Sequence, residues 1–127
     1  MENYYANPTL LKNIDRLERI RVVCSHKDWD FNNSNLISNN VVDKALFIIN
    51  RTNMQPSIMP CGDGSLYLEF GSVAEVQVSE ELCMKYVTVD KCECVDMIDE
   101  EEIAFIDVAD IVNILCKKAS NEKERPF

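Results

Sequence analysis

Residues 58–70 read IMPCGDGSLYLEF, and the fold hangs on whether Gly62-Asp63-Gly64 cradles a phosphate or only bends the chain between two strands. After the glycines, Leu66, Leu68 and Phe70 fall on one side and Tyr67 and Glu69 on the other, the period of two of a half-buried strand. Before them Ile58 leads in, flanked by Pro56 and Pro60. Proline has no N–H to give a ladder, so this first strand is expected to be short and to lie at a sheet edge. Asp63-Gly64 supplies residues that tolerate positive φ in a tight hairpin turn. A P-loop would require Gly-Lys-Ser/Thr opening a helix, and a dinucleotide fingerprint three spaced glycines ahead of one. Here a strand follows instead, and the loop reads as architecture.

Outward from the hairpin, helical periods replace the alternation. Asn7 can cap and Pro8 suits the first position of a helix whose apolar stripe is Leu10, Ile14 and Leu17, with Leu11 and Ile20 beside it. Residues 24–37, CSHKDWDFNNSNLI, break that period and read as a loop. Ser38 to Asn40 offer caps for a second helix that buries Val41, Val42, Ala45, Leu46, Ile48 and Ile49 and closes at Arg51-Thr52-Asn53. Beyond the hairpin, Ala74, Val76 and Val78 alternate with Glu75 and Gln77 in a third strand. An apolar stretch over 82–89 suggests a fourth, and residues 92–98 are an ambiguous fifth. Asp107 with Asp110 resembles a capping box opening a last helix with the stripe Val108, Ile111, Val112 and Leu115. The order predicts an α+β fold: an antiparallel sheet of three to five strands, with two N-terminal helices and one C-terminal helix packed on it. A single domain is expected over 1–119, with 120–127 as a polar tail.

The segment KDWDFNNSNLISNNVVDKALFIINRTNMQPSIMPCGDGSLYLEF resembles a group of small bacterial and mobile-element proteins. Their pattern runs Trp-Asp-Gly-Tyr-Gly-Ala, then Pro-Ile-Ser, a helix with a central Ala, Pro-x-Ile-x-Pro, and Asp-Gly-Ser-Ile-x-Leu-Glu-Trp. The resemblance is good over residues 28–70; beyond them only the order of elements agrees. Trp29-Asp30 match the opening pair, Ile37-Ser38 the helix start, Ala45 its centre, Pro56, Ile58 and Pro60 the edge strand. Asp63-Gly64-Ser65 and Leu68-Glu69 match the hairpin. Phe31 and Asn33 stand where the family has glycines, and Phe70 where it has tryptophan. Asn enters the left-handed region readily and Phe only at a cost. The resemblance implies the fold and carries no established activity.

Chemistry is sparse. His26 is the only histidine, which excludes a two-histidine metal site or relay. A Cys24–His26 dyad is conceivable, but an isolated histidine in a polar loop reads as a solvated side chain. Cys92 and Cys94 would share a face if extended, with Cys83 across from them, yet zinc sites use two pairs of cysteines spaced by two to four residues. The six cysteines read as free thiols of a reducing cytosol. No metal, no cofactor and no catalytic set is expected, and the chain is not read as an enzyme. Its start, MENYYANP, lacks the apolar core of a signal peptide, and its longest clear apolar run, Ala45 to Ile49, is too short to cross a bilayer. A cytoplasmic location is expected.

Charge is the informative remainder. The net charge is −9, and it is uneven: residues 90–107, DKCECVDMIDEEEIAFID, hold eight acids against one lysine, while the first thirty residues hold five of each. Such a surface repels nucleic acid and anionic lipid and attracts a basic groove. A solvated loop that aids solubility is the plainer account of the same run. Two functions are expected to compete. In one, this is a small inhibitor of a nucleic-acid-handling protein, such as a nuclease or toxin. It would then be a phage or mobile-element anti-defence protein, anti-CRISPR-like, or an antitoxin, acting as monomer or homodimer. Its partner-binding residues would be Trp29, Asp30 and Phe31 in the aromatic loop, with Asp96, Asp99, Glu100, Glu101 and Glu102 in the acidic run. In the other it is a small enzyme or ligand-binding protein with a pocket between sheet and helices. Within the loop, Trp29 is expected to cap the core and Phe31 to be exposed.

Overall fold

A computed structural model describes residues 7–80, 86–87 and 105–124, with α3 side chains over 106–118. Helix α1 (Pro8–Val23) starts where the Asn7 side chain accepts from the Leu10 N–H at 3.1 Å, with Pro8 leading the first turn. Asn13, Leu17, Ile20 and then Cys24 come round to the core at helical spacing. Leu11, expected beside the stripe, is exposed, because it stands about 100° round the helix from Leu10. Helix α2 (Asn39–Ile49) is capped by Ser38, whose hydroxyl accepts from the Val41 N–H. Its residues Val41, Val42, Ala45, Ile48 and Ile49 are fully buried, since α2 lies in the middle of the helical layer and touches α1, α3 and the sheet.

Strands β1 (Ser57–Pro60), β2 (Leu66–Phe70), β3 (Ala74–Val78) and the two-residue β4 (Tyr86–Val87) form an antiparallel meander in chain order. Ile58, Leu66, Leu68, Phe70, Ala74, Val76 and Val78 are buried toward the helices, as the alternation requires. The ambiguous fifth strand, 92–98, lies outside the described residues.

The β1–β2 turn differs from the tight pair expected at Asp63-Gly64. Cys61 N–H donates to the Ser65 carbonyl at 2.9 Å and Gly64 N–H to the Cys61 carbonyl at 3.1 Å. The loop is therefore the three residues Gly62-Asp63-Gly64, with Gly64 alone left-handed at φ 93° in the bulge position. Asp63 stays out of that region, and its carboxylate accepts from Ser65, at 3.0 Å from the backbone N–H and 2.6 Å from the hydroxyl.

The sheet edge is closed by α1. Counting from the bonded pair Cys61–Ser65, the register leaves Ile58 and Pro60 with their peptide groups pointing away from β2. Pro60 has no N–H to expose, and the Ile58 carbonyl accepts from Arg16 Nε at 2.8 Å. One step earlier the Pro56 carbonyl accepts from Asn13 Nδ2 at 3.0 Å. The prolines remove donors from the edge and α1 occupies its acceptors.

Helix α3 (Phe105–Glu124) begins two residues ahead of Asp107, so the expected capping box is not its cap. Asp107 lies in the first turn, where a carboxylate complements the helix dipole. Val108, Ala109 and Val112 are buried, with Ile111 and Leu115 half-buried beside them. The helix runs on to Glu124, so the polar segment expected as a tail is helical at its start. Asn113 fixes α3 to the end of α2: its amide donates to the Arg51 carbonyl at 3.0 Å and its oxygen accepts from the Asn53 N–H at 2.8 Å.

Candidate functional site

The loop between α1 and α2 is built on its own hydrogen bonds. The Ile37 N–H donates to the Cys24 carbonyl at 2.8 Å and closes the base. Inside, Asp28 organises the turn: its N–H donates to the Ser34 carbonyl at 2.7 Å, its carbonyl accepts from Phe31 N–H at 3.1 Å, and its carboxylate accepts from Asn33 N–H at 2.7 Å. Asp30 repeats the device one turn on, accepting from Asn32 N–H at 2.9 Å. The Ser34 hydroxyl, then the backbone N–H groups around it, hold the Asp30 carboxyl below the usual carboxylate range. This network over-determines the backbone, and three non-glycine residues sit in the left-handed region: Asp28 (φ 66°), Phe31 (φ 61°) and Asn33 (φ 61°). Phe31 and Asn33 thus hold the left-handed geometry without glycine, the residue that makes it easy.

Each aromatic ring of the loop has its own place. Trp29 is half-buried against the core, with Nε1 donating to the Asn35 carbonyl at 2.7 Å. Phe31 is 92% exposed. The loop also rests on the hairpin turn: Asn35 N–H donates to the Gly62 carbonyl at 2.8 Å, and a Cβ on Gly62 would come 3.9 Å from the Asp30 carboxylate. The Gly62-Asp63-Gly64 turn is thus a support for the aromatic loop, while the Asp63 carboxylate faces Ser65 and Gln77.

The other expected site residues, Asp96, Asp99, Glu100, Glu101 and Glu102, lie outside the described residues, as do Cys83, Cys92 and Cys94. Among the described residues no cluster of His, Cys, Asp and Glu could hold a metal. Cys24 is 2% exposed, and burial, followed by the charge of Asp30, pushes its thiol up, away from the thiolate that a nucleophile needs. His26 is exposed.

A second feature was not anticipated. A cleft of about 400 Å³ opens between α1 and the loop, lined by Asp15, Arg16, Arg19, Ile20, Trp29 and Pro60 among others. Its signal in the sequence was the presence of polar residues on the core-facing side of α1: Asn13 and Arg16 fall beside Leu17 and Ile20, where a polar group needs a fixed partner. No helix among the described residues is long and apolar enough to cross a membrane. Comparison with known proteins found no matching family model, no matching curated protein and no matching solved structure.

Proposed function

We propose that this is a protein-binding module that inhibits a nucleic-acid-handling partner in the cytoplasm, as a phage or mobile-element anti-defence protein (anti-CRISPR-like) or as an antitoxin. Phe31 carries the proposal. Its ring is almost wholly in water while its backbone occupies a conformation that disfavours a bulky residue, so the fold gains nothing from it there. An exposed aromatic on a backbone fixed by hydrogen bonds is the anatomy of an interface anchor, because the loop itself need not be ordered on binding. Asp28 and Asp30 in the same loop, and the net charge of −9, favour a basic surface on the partner. The acidic run of 90–107, with Asp96, Asp99, Glu100, Glu101 and Glu102, would extend the same complementarity. Direct binding of nucleic acid or an anionic membrane is disfavoured by the same charge.

The test begins with affinity capture from the native host and identification of the retained protein by mass spectrometry, followed by titration of the purified pair. Phe31→Ala should weaken the complex by about 2 kcal/mol or more. Reversing Asp99, Glu100, Glu101 and Glu102 to Lys should slow association, and native binding should weaken as ionic strength rises. A folded Phe31→Ala chain and a folded quadruple reversal that both bind at full strength would overturn the proposal.

A further inference from the structure

We propose that the cleft between α1 and the 24–37 loop is a binding site for a small aromatic monocarboxylate, independent of the Phe31 surface. Its two recognition elements are each fixed by one hydrogen bond to a backbone carbonyl. Arg16 uses Nε on the Ile58 carbonyl at 2.8 Å, and its two Nη nitrogens meet no carboxylate within 4 Å among the described residues. Trp29 uses its only donor on the Asn35 carbonyl at 2.7 Å, so the part of the indole that lines the cleft offers apolar ring surface alone. The lining therefore combines the N–H donors of a guanidinium with aromatic ring surface, and Ile20, Val23, Cys24 and Pro60 add to its apolar part.

Charge sets the valence of the ligand. Arg19 is already paired with Asp15 at 3.2 Å on the rim, which leaves Arg16 as the one charge among the described lining residues without a carboxylate in ion-pair range. The described lining thus carries +1 in a chain of −9, a local reversal of sign that matches a monoanion. A phosphate dianion would set its second charge beside Asp15 with nothing to meet it. The volume, about 400 Å³, lies near the small end of the roughly 300–1,000 Å³ typical of ligand sites, enough for one ring and its acid group. Both elements are held in place before the ligand arrives, so binding does not have to order them.

Trp29 is the only tryptophan in the chain, which makes its fluorescence a local reporter. The full chain is titrated with phenylacetate, with the uncharged analogue 2-phenylethanol, and with inorganic phosphate. A saturable response to phenylacetate is expected, with neither control reproducing it. Arg16→Gln should weaken phenylacetate at least about tenfold, and Arg16→Lys should restore only part, since an ammonium lacks the planar fork. Because Arg16 also closes the β1 edge, two-dimensional NMR of the unaltered chain gives a second readout. Phenylacetate should shift the Trp29 indole N–H and the Arg16 Nε–H ahead of other signals. No saturable response at millimolar phenylacetate, an equal response to phenylethanol or phosphate, or shifts centred elsewhere would overturn the proposal.

Discussion

Glu69 on β2 stands directly opposite Glu75 on β3, two carboxylates facing each other on the side of the sheet turned away from the helices. Like charges in direct cross-strand register repel. Glu75→Lys should therefore raise stability by about 0.2–1 kcal/mol, read as a higher urea midpoint at unchanged slope, with the gain shrinking in high salt. A lower midpoint would mean that a cation already sits between the two acids.

Phe31 should separate stability from binding. A left-handed residue with a Cβ costs about 1–2 kcal/mol, and glycine's greater freedom in the unfolded chain returns roughly 0.5–1 kcal/mol of that relief. Phe31→Gly should then leave the fold as stable or slightly more stable by thermal unfolding, while partner binding falls. Asn33→Gly, at the same φ of 61°, should change neither by much, since Asn tolerates the region. Loss of stability in Phe31→Gly would show that the exposed ring does hold the fold.

The two turn glycines should answer differently to alanine. Gly64 combines φ 93° with a Leu36 carbonyl 3.1 Å from where a Cβ would stand, so Gly64→Ala should cost about 1 kcal/mol or more. A Cβ on Gly62 would meet only ordinary contacts, at 3.7 and 3.9 Å, and Gly62→Ala should stay within about 0.5 kcal/mol of the parent. Chemical denaturation of both variants checks the pair, and equal losses would contradict the three-residue turn.

Acid should loosen the join between β3 and α2. The Ser38 hydroxyl, then the Asn40 amide, donate to the Glu80 carboxylate and hold its pKa below the ordinary glutamate value. The folded pKa is the lower one, so the unfolded chain takes up the proton first. The contribution is complete above the unfolded value, about 4.3, and is lost as pH falls through the folded one. Glu80→Gln should flatten the fall of stability between about pH 5 and pH 3. An acid limb of unchanged steepness would place the sensitivity elsewhere, with Asp30 the next group to examine.

The layered fold was legible because it depends on local pattern. Alternation marked β2 and β3, the Asn7-Pro8 pair marked the start of α1, and the prolines marked the edge. What was not legible depends on partners distant in sequence or on competing local bonds. Asp63 stays outside the left-handed region and its carboxylate accepts from Ser65, a bond that a turn-residue rule does not weigh. Phe31 is left-handed because Asp28 and Ser34 tie the loop around it, and residue preference alone argues against that conformation. Of the expected anchors, the exposure of Phe31 and the core contact of Trp29 followed from their chemistry. The cleft did not, because it exists only once Arg16 has crossed to β1, 42 residues along the chain.

That crossing also bears on synthesis. A nascent chain releases α1 and α2 before β1, at roughly 5–20 residues per second. When Ser57–Pro60 leaves the ribosome, the helix bearing Asn13 and Arg16 has already been made. A half-finished sheet is where neighbouring chains on one messenger are apt to join, and here the border that would join is covered by material upstream of it. A circular permutation moving α1 behind α3 would still allow α1 to reach β1 in the finished protein but would remove that head start, leaving β1 bare until the last helix was translated.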